Sequence, residues 1–157
     1  MIGWYVLISD IEARKQAEVK LRQSEADLLE AQRLTHTGSW KHGASGTYTI
    51  SPETYRIFGM NPEREPWTAE SWSGRIHPED RRRVQELFAK SELQKIDYQA
   101  DYRIVLPDGN IRYIHSVGHP IVNASGDLVE FVGTAMDVTE QVQARTKLEQ
   151  AFAEIKL

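Results

Sequence analysis

Cysteine is absent from the 157 residues. Its absence excludes disulfides, thiolate nucleophiles, zinc–thiolate centres and any cofactor held through a cysteine sulfur. Long apolar runs are missing too. The longest, Trp4 to Ile8, falls far short of the roughly 20 residues a bilayer-spanning helix needs and of the core of a secretion signal. No direct membrane insertion is expected, and the segment reads as cytoplasmic, whether or not a longer parent chain is membrane-bound. Positive charge is not in excess: 19 Lys and Arg stand against 23 Asp and Glu, a formal net charge of −4. A broad nucleic-acid face therefore has no electrostatic basis. Glycine-rich phosphate loops, nucleophile elbows and kinase boxes are also lacking, so the segment is read as non-enzymatic. What remains, 40% hydrophobic and 27% charged, suffices for one packed core.

One phrase is present twice. Residues 4–23, WYVLISDIEARKQAEVKLRQ, and residues 131–150, FVGTAMDVTEQVQARTKLEQ, align so that Asp10 meets Asp137, Gln16 Gln143, Ala17 Ala144, Lys20 Lys147, Leu21 Leu148 and Gln23 Gln150. In each copy a β-rich run reaches an Asp and then a stretch of helix-forming residues. In the second copy Thr139 can cap the helix that Glu140 begins, and Asp137 places negative charge near the same positive helix end. Ala17, Leu21, Ser24, Leu28 and Ala31 in one helix, and Ala144, Leu148, Ala151 and Ile155 in the other, make narrow seams suited to a parallel partner helix. The alternative is a helix lying back on its own domain. The expected organisation is residues 1–10 as the last strand of a preceding module, 11–34 as a linker helix, 35–138 as the domain proper and 139–157 as a C-terminal signalling helix.

Inside the domain, GSWKHG and GTYTIS read as a hairpin through Gly43 to Gly46. Ser51 and Pro52 form an N-cap and first helical position, and Gly59 closes that helix. Thr68 caps a short turn carrying Trp72. The stretch HPEDRRRVQELFAKSEL opens with Pro78, Glu79 and Asp80 and presents Val84, Leu87, Phe88 and Ser91 on one face. Glu79 and Asp80 there complement the helix dipole, and Arg81 to Arg83 read as a solvated charge run. Three strand-like runs follow, split by PDG and NASGD, an antiparallel meander. The class is α+β, one sheet with helices on one face.

The histidines make poor metal ligands. His115 and His119 lie four apart on one strand, which separates their β-carbons by roughly 13 Å. His36 and His42 flank a strand with no further ligand at useful spacing, and His77 faces solvent or helps cap the long helix. No metal site is expected.

In this order the segments GSW, SPETYRIFGM, IHPEDRRRV and DYRIVLPDGNIRYIHSVGHPIVNASGDLVEFVGTAMDVTE resemble a PAS domain, of the subgroup marked by HPED, YR, DG and a terminal G-x-x-x-D-[IV]-T. Asp10-Ile11-Glu12 resembles the close of another such domain, with Glu12 where Thr is usual. The resemblance implies a five-stranded antiparallel sheet in order 2-1-5-4-3, helices enclosing a pocket, and flanking N- and C-terminal helices that pass signals along a dimer axis. It also implies a sensory and dimerisation module of a signal-transduction protein, such as a bacterial sensor histidine kinase or a cyclic-dinucleotide enzyme. Its partners would be a second copy, bound through the flanking helices and outer sheet face, and adjacent PAS and downstream effector domains. Relatives that form a flavin photoadduct use a cysteine, which this chain lacks. Those that bind haem commonly take a histidine from the long helix, where this chain has none. The expected cofactor is none, or a small organic ligand.

Register decides which residues face that ligand. Around Gly109 a two-residue loop would oppose Ile104 with Tyr113, a bulged three-residue loop with Ile114. The family pattern favours the second, with Tyr102, Ile104, Ile114, Ser116, Phe131, Gly133 and Ala135 inward, facing Tyr55, Phe58, Trp72, Ile76 and Phe88. Such a lining can be a filled core or a cavity, and correspondingly the module can sense a ligand or only set dimer geometry. Val105, Tyr113 and Val117 would form an outer apolar stripe needing cover from the first helix or a second subunit. Asp137 and Thr139 are the candidate signal relay.

Overall fold

A computed structural model describes residues 2–156. The chain runs as α1 (Ile2–Thr35), β1 (Thr37–Gly43), β2 (Tyr48–Ile50), α2 (Pro52–Ile57), α3 (Ala69–Arg75), α4 (Pro78–Gln94), β3 (Tyr98–Val105), β4 (Ile111–Val122), β5 (Leu128–Asp137) and α5 (Thr139–Ile155). The five strands form one antiparallel sheet in order β2-β1-β5-β4-β3, the order the resemblance implied. Alternating burial along β3, with Tyr98, Ala100, Tyr102 and Ile104 inside, shows one face packed and the other turned outward.

Local chemistry sets the helix starts. Ser51 Oγ accepts from the Thr54 amide ahead of Pro52, and Thr68 with Ser71 closes a capping box on α3. His77 caps α4, its Nδ1 accepting from the Glu79 amide. Asp80 does more than complement the helix dipole. Its carboxylate takes Nε, Nη2 and the backbone N–H of Arg103, all at 2.9 Å, and so ties the start of α4 to β3. These bonds hold its pKa down at about 2 against the opposing effect of burial. Nor is the arginine run wholly solvated. Arg81 donates to the carbonyls of Ser73 and Ile76 at the end of α3, and Arg83 to that of Asp101, whereas Arg82 pairs with Glu86 in solvent.

The strand expected over residues 1–10 is not there. Met1 lies outside the described residues, and the rest of that stretch is the beginning of the 34-residue helix α1. Trp4, Tyr5 and Ile8 have strand-forming side chains, but a strand must give its amides and carbonyls to a neighbouring strand. Among the described residues none runs beside them, and an isolated helix satisfies the same groups within itself.

The β3–β4 turn also departs from the expected pairing. Leu106 and Asn110 enclose a three-residue loop in which Gly109 takes φ +87°, a conformation glycine adopts without penalty. Ile104 lies opposite Arg112, and Ile114 opposite Tyr102. The partner is two residues from the expected one. A slip of two preserves the faces, so Ile104 and Ile114 are both fully buried as the bulged loop required.

Neither flanking helix lies back on the domain along its length. α1 reaches β1 and α2 only near its end, where Gln32 donates to Ser39, and α5 leans on β4. Leu21, Leu28, Leu148 and Ile155 of the two seams are exposed. Of the two covers expected for the outer stripe of Val105, Tyr113 and Val117, the first helix does not lie along it; Val117 is exposed and the other two are half-buried.

Candidate functional site

The inner face of the sheet meets α2, α3 and α4 around an aromatic cluster centred on Phe88, whose ring stands edge-on to Trp40, Trp72, Tyr98 and Phe131 at 5.1–5.9 Å. Within it is a cavity of about 40 Å³. Six of the expected residues line it: Phe58, Trp72, Phe88, Tyr102, Ser116 and Ala135. The other six do not. Ile76, Ile104, Ile114 and Phe131 are at most 1% exposed and fill the core beside it, each contributing about 1.5–3 kcal/mol of burial free energy. Tyr55 turns away, packing edge-on against Trp67 and accepting its backbone N–H.

Gly133 belongs to the wall in a different sense. A β-carbon there would lie 2.4 Å from the Trp40 ring, and one at Gly118, its cross-strand partner, 2.6 Å. Two side-chain-free positions on adjacent strands thus form a floor on which the indole lies, reaching from β1 across β5 to β4. Sequence reasoning missed Trp40, and with it His42, Tyr48, Ile50, Thr54, Trp67 and Tyr98. Ile50, Trp40, Gly133, Gly118 and Tyr98 form one row across the sheet. The inward parity of β3 and β4 already included Tyr98, and extending that parity to β1 would have found Trp40.

The polar groups of the lining are mostly engaged. Thr54 Oγ1 donates to the Ser39 carbonyl and Ser116 Oγ to that of Thr134. His42, stacked on Tyr48 with centroids 4.4 Å apart, places Nδ1 2.6 Å from Glu92 Oε1 on α4. Burial pushes the Tyr102 phenol up to about 12, a rise moderated by the Trp72 indole N–H and the Ser116 hydroxyl. Burial raises the Tyr98 phenol still further. Among the described residues no three His, Asp or Glu side chains converge to hold a metal. His115 and His119 instead pair with Asp101 and Asp97 across the β3–β4 edge, both at 2.6 Å.

Asp137 and Thr139 sit together where β5 becomes α5, but Thr139 does not cap. It is the first helical residue, with Val138 before it. Asp137 Oδ1 accepts the Thr139 backbone N–H and hydroxyl, and Thr139 Oγ1 accepts the Tyr113 N–H of β4. The carboxylate thus takes the first helical amide, that of Thr139 itself, whereas the Val142 amide, within reach of the expected Thr139 cap, bonds to the Val138 carbonyl. Arg112 is a further residue that sequence reasoning passed over. Its Nη1 donates to the Arg56 and Ile57 carbonyls at the end of α2, and its Nε lies 3.7 Å from Asp137 Oδ2. One guanidinium therefore touches both a helix of the pocket wall and the root of α5.

Comparison with known proteins agrees with the fold. The family model described as PAS fold matches residues 47–135, more than half of the chain. The sensory box histidine kinase/response regulator of Burkholderia thailandensis E264 is 27% identical in its crystal structure, with a TM-score of 0.63 over 80% of this chain and 95% of that one. The N-terminal domain of a diguanylate cyclase with PAS/PAC sensor from Marinobacter aquaeolei is also 27% identical, with a TM-score of 0.61 over 67% of this chain and 97% of that one. The probable diguanylate cyclase DgcE of Escherichia coli K12 is 24% identical over 145 residues, which are 91% of this chain and 13% of the cyclase. The chain spans less than a fifth of the length of the curated relatives it matches.

Proposed function

The chain belongs to the PAS fold family, and from that premise we propose that it is a sensory and dimerisation module working within a larger signal-transduction protein. A change at the pocket, or at an interface with a second copy, is relayed to α5 and through it to an effector. The histidine kinase and diguanylate cyclase relatives support the same class of parent. The observation that carries the reading is the junction. Arg112 joins the carbonyl end of α2 to Asp137, and Asp137 and Thr139 join β5, β4 and α5. Movement of the pocket wall therefore has a bonded route to the helix root. The exposed seam of Ala144, Leu148, Ala151 and Ile155 is what a partner helix would read. No haem or flavin is assigned; the pocket takes a small organic ligand or none. A second reading, an interaction module that only sets dimer geometry, draws on the small volume of the cavity.

Insertion phase tests the relay. In a parent chain carrying its effector, one residue inserted after Glu140 turns everything downstream by about 100°, whereas seven nearly restore phase. The first should change effector output strongly and the second little. Output indifferent to the single insertion would reduce α5 to a spacer.

A further inference from the structure

We propose that residues 4–9 are a docking strand: in the longer protein they leave α1, become extended and pair with an open antiparallel sheet of a neighbouring module. Of the functional reading above this uses only the placement of the chain within a larger protein, and the relay through α5 is not needed.

The side chains at this end of α1 require a partner. Trp4, Tyr5, Val6, Leu7 and Ile8 are each more than half exposed, and Ile11 nearly half. The helix meets the domain at its far end, where Gln32 donates to Ser39. A contiguous apolar surface left open in this way marks an interaction site.

A partner helix answers the need poorly. Successive residues of a helix point about 100° apart, so five in a row face every direction, whereas a partner helix covers one stripe of residues three and four apart. As a strand the same run is orderly, with Trp4, Val6 and Ile8 on one face and Tyr5, Leu7 and Ser9 on the other. Its length and continuity suit a strand deep in a sheet. Its residues agree, since Trp, Tyr, Val and Ile are favoured in strands and rank below Ala, Leu, Glu and Lys in helices.

The chain itself contains the paired form. In the alignment that sets Asp10 on Asp137, residues 4–9 fall on 131–136, which lie in β5 between β1 and β4. Trp4 and Ile8 then match Phe131 and Ala135, which are at most 2% exposed, and Tyr5, Leu7 and Ser9 match the half-buried Val132, Thr134 and Met136 of the other face. Where that strand ends, Asp137 accepts the Thr139 N–H and α5 begins. By the same geometry Asp10 would take the Glu12 amide, and α1 would begin at Glu12, about 15 Å shorter.

A second copy of the chain is a poor acceptor. Of its two sheet edges, β2 has only three residues, and β3 carries Gln99, Asp101 and Arg103 on its outer face, the kind of polar edge that discourages pairing. The curated relatives are more than five times as long as the chain, which leaves ample length for another module.

The test compares the 157-residue chain with its full-length parent. Hydrogen exchange needs no substitution. The amides of residues 5–9 should exchange as fast as an exposed helix end in the short chain, and in the parent should be protected like those of residues 132–136. Single cysteines at positions 4 to 9, in a parent whose other cysteines have been replaced, then report the shape. Trp4→Cys, Val6→Cys and Ile8→Cys should react with a thiol reagent at least about tenfold more slowly than Tyr5→Cys, Leu7→Cys and Ser9→Cys, because reaction there waits on local opening. Unprotected amides and uniformly fast reaction in the parent overturn the proposal and leave α1 a free helix. Slow reaction at positions 4, 7 and 8 overturns it in favour of a docked helix. Alternation already present in the short chain makes a second copy the partner and overturns the neighbouring module. The insertion after Glu140 reads the opposite end of the chain, so the relay and the docking strand can fail separately.

Discussion

Two stretches of this molecule share a phrase and adopt different structures. Residues 131–136 are a central strand, hydrogen-bonded to β1 on one side and β4 on the other, and the chain turns helical only at Thr139. Residues 4–9, at the matching place before Asp10, are helix throughout. The sequences after the aspartates share five of thirteen residues, and both are helical. The β-rich runs before them differ less in composition than in company. Phe131 is wholly buried among aromatic rings, whereas Trp4 and Tyr5 are more than 70% exposed. A helix can be specified locally, because its hydrogen bonds stay within the segment. A strand needs a neighbour to accept its ladder.

Proline should separate the two most sharply. Val132 pairs with Lys41 and His119 and its side chain is only half-buried, so Val132→Pro acts on the backbone. In a central strand it should cost more than about 3 kcal/mol and abolish the cooperative melt of the domain. Ile8→Pro should leave that melt unchanged and remove only some helical circular dichroism from α1. If the domain melts earlier with the proline at position 8, the N-terminal stretch has a docked role that its exposure denies.

The next largest effect concerns the strand beside β5. Ile114→Asp would place an uncompensated charge in the core, for a cost of several kcal/mol by urea unfolding. Tyr113→Asp, on the outer face, should cost far less and act mainly on self-association in sedimentation. Reversed behaviour would mean that β4 presents the opposite face.

A smaller contrast lies in the aspartates themselves. Asp137→Ala removes the acceptor of the Thr139 amide and hydroxyl, and should cost about 1 kcal/mol. Asp10→Ala, at the equivalent place in an exposed helix, should be silent in the melting of the domain. Equal effects would show that the repeat is equivalent in energy as well as in letters.

The last test compares the β5–α5 junction with the other strand–helix tie, Asp80 on Arg103. The folded pKa of Asp80 lies near 2, below the ordinary carboxylate value. Its contribution is therefore present at neutral pH and is lost as the pH falls from about 4 towards 2. With solvent screening on its open side, that contribution is on the order of 1 kcal/mol. The difference in unfolding free energy between the parent and Asp80→Asn should appear at pH 7 and shrink below pH 4. A constant difference would assign the effect to packing.

Much of the domain was legible without coordinates because its signals are local. Ser51 with Pro52 and Thr68 start helices by reaching amides three residues away, and Gly109 takes the backbone conformation its turn demands. The turn left the parity of β4 open, and the resemblance to PAS domains chose the one that puts Ile104 and Ile114 in the core; the pairing was still two residues off, which parity does not register. Half of the expected pocket residues do line it. The others, such as Ile76 and Phe131, are inward in the same sense, and inwardness alone does not separate a residue that fills space from one that borders it.

What the sequence determined by itself is the set of short-range choices: which segments begin helices, which alternate, where the chain turns, and which chemistries the missing cysteine removes. Tertiary structure alone decided the rest. It laid Trp40 over Gly133 and Gly118, brought Arg112 to both Ile57 and Asp137, and made residues 4–9 a helix while their counterparts became a strand. Each of these depends on a group distant in sequence being within a few ångströms, and neither local propensity nor periodicity carries that information.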